Sequence, residues 1–96
     1  LPDIRDVLAN PELALPHLDR SKPDRTMVML LETAQAVERS GTAEDWQNAW
    51  KIGAHAVTAG FGDLVAWAFR KLPSLRPSGA TLPGEFATVV EFLESV

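Results

Sequence analysis

The chain has 96 residues, of which 46% are hydrophobic and 23% are charged, a balance that fits one small folded domain and excludes wholesale disorder. No apolar run approaches the roughly 18 to 20 residues that cross a bilayer, and the lack of cysteine excludes disulfides and zinc–thiolate sites. The net charge of −4 disfavours a nucleic-acid partner, because phosphate neutralisation requires a basic face.

The two ends indicate a segment of a longer chain. The sequence begins at Leu1 rather than at a methionine, and it stops at Val96 inside a stretch with a helical pattern. No basic, apolar leader with a small-residue cleavage site opens it. We therefore expect a single helical domain over residues 1–96, cut from a longer cytoplasmic protein that does not enter a membrane.

The first half of the chain is predicted to hold two short helical segments and one long helix. Asp3 is placed to cap the first segment, and Asn10 to cap the second, in which Pro11 suits the first helical position. A longer helix of about 16 residues is expected from Pro23, and Gly41 can end it in the left-handed conformation. Its apolar stripe consists of Met27, Leu30, Leu31, Ala34 and Val37.

The second half predicts three more helices. Thr42 and Asp45 resemble a capping box that opens a helix with Gly53 on its apolar face, where a close helix crossing would compensate the glycine. Residues 64–69 are apolar almost all round, which predicts a central, buried helix. A loop over residues 73–81 precedes a last helix that starts at about Leu82 or Pro83.

No segment alternates apolar and polar residues as a half-buried strand does. Signatures of tetratricopeptide or ankyrin repeats are also absent. We therefore predict an all-α fold, a small irregular helical bundle of four to six helices with no sheet.

Motifs that carry chemistry are missing from the sequence. The P-loop pattern is absent, and the glycine pair around Phe61 has neither a third glycine nor a preceding strand. His17 and His55 lie far apart without the H-E-x-x-H spacing of a zinc site. We expect no cofactor, no metal and no enzymatic activity; catalysis by His55 would require a hydroxyl or carboxylate within hydrogen-bonding distance in an open cleft.

Three tryptophans are the most informative feature. Core packing is the default interpretation of all three, because aromatic area dominates burial. Trp46 and Trp50 are one helical turn apart and share a face. Trp67 lies off the face of its apolar neighbours and marks an interaction surface in the sharper interpretation. We expect Phe61 and Trp67 to be exposed apolar anchors, with Arg70 and Lys71 as a basic rim.

Three stretches, in the same order, carry a family resemblance. They are DVLANPE at 6–12, TAEDWQNAW at 42–50 and RPSGATLP at 76–83. Together they are similar to the helical region that follows the ATPase module in bacterial MoxR-like AAA+ ATPases. The resemblance implies a parent that hydrolyses ATP in a ring and remodels or matures partner proteins, often ones with von Willebrand A-type domains. No Walker motif is present in this chain, so no nucleotide-binding residue carries over.

Two functions follow as hypotheses. The first is a non-enzymatic accessory domain that binds a protein partner or the rest of its own chain, for partner docking or ring assembly. The second is a stand-alone binder of a small apolar ligand. It requires a cavity of roughly 300 Å³ or more lined by Trp50 and Trp67, with His55 on its wall.

Overall fold

A computed structural model describes residues 3–82 and 84–94 of the chain. Within these ranges five α-helices, three short 3₁₀-helices and no strand are present. The α-helices are α1 (Ile4–Ala9), α2 (Pro23–Ser40), α3 (Ala43–Thr58), α4 (Gly62–Ala68) and α5 (Ala87–Glu94). The 3₁₀-helices are η1 (Pro11–His17), η2 (Leu72–Leu75) and η3 (Gly84–Phe86). The predicted all-α class is confirmed, although the expected loop over 73–81 begins as η2, and Pro83 lies outside the described residues.

Most helix ends follow the predicted signals, but the last α-helix begins at Ala87, after η3, and not at about Leu82. The Asp3 carboxylate accepts a hydrogen bond from the Arg5 amide at 2.9 Å, and Gly41 ends α2 with a φ of 63°. Asn10 makes no side-chain capping bond to η1, so that prediction is wrong. Its amide instead donates to the Asp6 carbonyl at 3.0 Å and ends α1. No helix in the described part of the chain is long and apolar enough to cross a membrane.

The predicted capping box at α3 forms only by half. Thr42 Oγ1 accepts from the Asp45 amide at 3.2 Å, but the Thr42 amide donates to Ser40 Oγ at 3.4 Å and not to the Asp45 carboxylate, which binds Arg5. The two Arg5 guanidinium nitrogens donate to Asp45 at 2.7 and 3.2 Å, a bidentate arrangement that joins α1 to α3. It is the one ion pair among the described residues.

Stability should fall in acid partly through this pair. Burial alone would raise the pKa of Asp45, but hydrogen bonds from Arg5, Ser40 and Thr42 and the Arg5 charge outweigh it and hold the pKa below its ordinary value. A carboxylate with a lowered pKa contributes stability above its unfolded pKa of about 3.9 and loses it as the pH falls through the folded value.

We therefore expect the stability gap between wild type and Asp45→Asn to be widest near pH 7 and to close below about pH 4, in urea unfolding followed by circular dichroism. Arg5→Gln should show the same closing gap. A gap of constant size from pH 7 to pH 3 in both variants would contradict this role of the pair.

The first turns of α3 also bind α1 and the segment that precedes η3. The Asn48 side-chain amide donates to the Leu8 carbonyl of α1 at 2.8 Å. The neighbouring Gln47 amide donates to the Thr81 carbonyl at 2.7 Å, ahead of η3. Two consecutive residues of α3 thus bind segments that lie 34 and 40 positions away in the chain.

The central helix is α3, which packs against each of the other four α-helices of the described chain. The prediction that residues 64–69 form the central, buried helix is therefore wrong. Small residues explain the difference, because Ala49, Gly53 and Ala56 are fully buried or nearly so and let neighbouring helices approach α3 closely. At Gly53 a Cβ would lie 2.9 Å from Phe69 Cε2, so the predicted close crossing is confirmed.

Aromatic rings fill the core next to this crossing. Trp50 is 0% exposed and packs edge-on against Trp46 and Phe69, with ring centroids 5.8 and 6.0 Å apart. Trp46 Nε1 donates to the Leu72 carbonyl at 2.8 Å. Trp50 Nε1 has no hydrogen-bond partner in the described structure. The core interpretation is thus confirmed for Trp46 and Trp50.

Candidate functional site

The candidate site is the solvent face of α4. Val65, Ala68 and Phe69 are buried on the core side of this short helix. At about 100° per residue, positions 63, 66 and 67 fall within a single arc on the opposite side. Arg70 follows the end of α4 and lies against Trp67 on the same side. We refer to these four residues, Asp63, Ala66, Trp67 and Arg70, as the α4 face.

Trp67 is the dominant residue of the α4 face. Its side chain is 47% exposed, unlike those of Trp46 and Trp50. The Arg70 guanidinium carbon lies 5.9 Å from the centroid of the Trp67 ring, within the range of a cation–π interaction. Arg70 Nη1 also donates to the Trp67 carbonyl at 2.7 Å. This bond places the guanidinium beside the indole.

A shallow groove runs beside this pair. Its volume is about 360 Å³, and it is lined by the α4 face together with Phe92 of α5. Asp63, in the first turn of α4, stands at one end and Arg70 at the other, so the face carries opposite charges on either side of an exposed indole. Tryptophan and arginine are the residue types most enriched where protein interfaces derive their binding energy.

Phe61 does not belong to this surface, and its predicted exposure is wrong. The side chain is only 7% exposed and joins the hydrophobic core. The Phe61 amide donates to the Ala56 carbonyl at 2.9 Å, which turns the chain sharply between α3 and α4 and directs the ring inward. An aromatic residue in a glycine-flanked turn can face either way, and the sequence alone does not distinguish the two.

Lys71 is exposed but lies apart from Trp67. With Arg70 it borders a second, smaller groove of about 180 Å³ between α2 and η2, whose floor includes Ala34 and Leu75. The structure therefore brings Trp67 and Arg70 together, leaves Lys71 on the neighbouring surface and buries Phe61.

Two other arginines in basic stretches of the sequence pack against the fold. Arg76 lies 5.7 Å from the Trp46 ring centroid and donates two hydrogen bonds to the Ala80 carbonyl, at 2.8 and 2.9 Å. Arg20 lies against Gly60, where a Cβ would be 2.6 Å from Nη1. Both guanidinium groups are thus placed against loop backbone.

His55 borders a separate open cleft of about 480 Å³, together with Lys51 and Glu12. The His55 ring makes no hydrogen bond to any residue that the structure describes, so the partner that catalysis would require is not in place.

The apolar-ligand hypothesis concerns the two tryptophans. Trp50 is buried in the core, whereas Trp67 faces solvent. The apolar-ligand hypothesis requires one cavity lined by both indoles, and the two indoles do not line a common cavity. No cluster of three or more potential metal ligands occurs among residues 3–82 and 84–94.

Comparisons with protein families, with curated proteins and with solved structures find no match for this chain. Its function therefore has to be argued from the α4 face. Sequence reasoning missed Asp63 as part of this surface. The spacing of Asp63 and Trp67 at i and i+4 is the signal that identifies it, because residues so spaced lie one above another on a helix.

Proposed function

We propose that this chain is a non-enzymatic helical interaction domain that binds another protein surface through the α4 face. The observation that carries the proposal is the half-exposed Trp67 with the Arg70 guanidinium held beside it. Leaving a large indole in water forgoes roughly 25 cal/mol for each Å² of apolar area, which a partner that covers the ring recovers. The bond from Arg70 to the Trp67 carbonyl favours a conformation in which the guanidinium and the indole face the same partner.

We further propose that the domain belongs to a MoxR-like AAA+ ATPase, as an accessory region for partner docking or ring assembly in the cytoplasm. The support is the sequence resemblance over residues 6–12, 42–50 and 76–83. An accessory domain needs a binding surface and a stable core, and it needs no catalytic group of its own. The reading frame upstream of the codon for Leu1 tests this step. A P-loop module in the same frame supports it, and a start codon directly before Leu1 contradicts it.

Photo-crosslinking in cells tests the binding surface. A photoreactive phenylalanine analogue at Ala66 should crosslink through the groove, whereas the same group at the exposed Ala9 of α1 should not. Supporting products are peptides of the ATPase module, of a second copy, or of a protein whose purified form binds the chain in a Trp67-dependent way.

Trp67→Ala should lower that binding by about thirty-fold, since a central interface tryptophan contributes on the order of 2 kcal/mol. Leu15→Ala is the matched control, because Leu15 is 50% exposed and lies in η1, outside the groove. Equal binding by wild type and Trp67→Ala, or loss of binding in Leu15→Ala, would overturn the assignment of the surface.

A further inference from the structure

The arrangement of charges on the α4 face has a symmetry that identifies an occupant. Asp63 lies in the first turn of α4 and Arg70 follows two positions after its last residue, so the two charges stand at opposite ends of the helix. The midpoint between them falls between Ala66 and Trp67. A face with an acid at one end, a base at the other and an indole beside a small residue at the centre is complementary to itself when rotated by 180°.

We propose that the α4 face binds the α4 face of a second copy of this chain, forming a two-fold symmetric dimer with antiparallel α4 helices. This inference rests on the proposed function, because it uses the same surface. Aligned on the midpoint, each Asp63 lies beside the other copy's Arg70, and each Trp67 indole packs over the other copy's Ala66. Every contact occurs twice, as an isologous interface requires.

The charges favour this occupant over one of uniform sign. Neither Asp63 nor Arg70 has an ion-pair partner among the residues that the structure describes. A purely acidic partner would meet Asp63, and a purely basic partner would meet Arg70, so each would bring like charges together at one end. A second copy satisfies both ends, and the remaining Arg70 N–H groups are available as donors because a guanidinium carries five.

The size of the surface sets the expected strength. The helical part of the α4 face belongs to a helix of 7 residues, far fewer than the roughly 20–30 residues that each side of a standard interface contributes. We therefore expect a weak, reversible dimer that becomes populated at about 0.1–1 mM chain.

A charge-swap experiment by analytical ultracentrifugation tests the proposal. Asp63→Arg gives a face with two cations, and Arg70→Asp gives a face with two carboxylates. Each variant alone should lose self-association by about ten-fold or more, because like charges meet at both ends of the interface. An equimolar mixture of the two should associate to within about three-fold of wild type, since both ends then pair opposite charges. Misfolded variants would not regain association on mixing.

The double variant Asp63→Arg/Arg70→Asp provides the second arm. It restores opposite charges within its own dimer and should self-associate, whereas it should not pair with wild type. Two outcomes overturn the dimer: a wild-type chain that stays monomeric at 1 mM, or a mixture no more associated than its components. If crosslinking at Ala66 still yields a Trp67-dependent protein partner in either case, the proposed function stands without the dimer. If it yields none, both fail.

Discussion

Trp50→Ala is expected to lower the free energy of unfolding by about 3–5 kcal/mol, the largest effect of a single substitution that we predict for this fold. Trp50 is 0% exposed and contacts two other aromatic rings edge-on, so truncation removes its burial and leaves a cavity among Trp46, Phe69 and α3. A domain of this size has roughly 5–15 kcal/mol in total, so much of its stability is at risk. Urea unfolding followed by circular dichroism measures the change.

Trp67→Ala is the matched control for that experiment. The same atoms are deleted, but the Trp67 side chain is 47% exposed, and we expect a cost below about 1 kcal/mol. Trp50→Phe keeps a ring in the core and removes the unpartnered Nε1–H, so it should cost less than half of Trp50→Ala and keep the chain folded. Similar losses in Trp50→Ala and Trp67→Ala would contradict the assignment of one indole to the core and the other to the binding surface.

Gly53→Ala is expected to destabilise the fold by about 1–2 kcal/mol, a result opposite in sign to helix propensity. In an open helix interior the change from glycine to alanine stabilises by about 1 kcal/mol. At Gly53 the added methyl would lie 2.9 Å from Phe69 Cε2, and over-packing of this kind costs about 1–3 kcal/mol. Phe69 is 0% exposed and packs edge-on against Trp50, so its ring has little room to move away.

Two further variants isolate the cause at Gly53. In Gly62→Ala the added methyl would lie 3.4 Å from Phe92 Cζ, an ordinary contact, so this control should be neutral or slightly stabilising. In a Phe69→Leu background the cost of Gly53→Ala should fall by more than half, because the offending ring edge is gone. An unchanged cost in that background would show that Phe69 is not the obstacle.

Local signals in the sequence predict the ends of the helices well. Asp3, Thr42 and Gly41 act within one helical turn of their own position, so their roles follow from neighbouring residues alone. The ion pair of Asp45 cannot be predicted in this way, because its partner Arg5 lies 40 positions away in the chain. Pairings across such a distance depend on how the helices pack.

The candidate site was predictable only in part. Trp67 and Arg70 are neighbours because of local helical spacing, and their association needs no tertiary information. The orientation of α4 is different, because residues 64–69 are apolar in every direction and periodicity cannot identify the core side. Packing decides it, since the glycine at position 53 admits Phe69 and so leaves the opposite arc with Trp67 in solvent.

The bonds that Asp45, Gln47 and Asn48 make from the first turns of α3 bear on the order in which the protein folds. The hairpin of α2 and α3 is joined by only Gly41 and Thr42, so its loop closes early and at little entropic cost. The chain segments around Leu8 and Thr81 are each more than 30 positions from their partners, 40 for Leu8 and 34 for Thr81. We therefore expect the bonds from α3 to Leu8 and Thr81 to form after the hairpin of α2 and α3, because closing these longer loops costs more entropy.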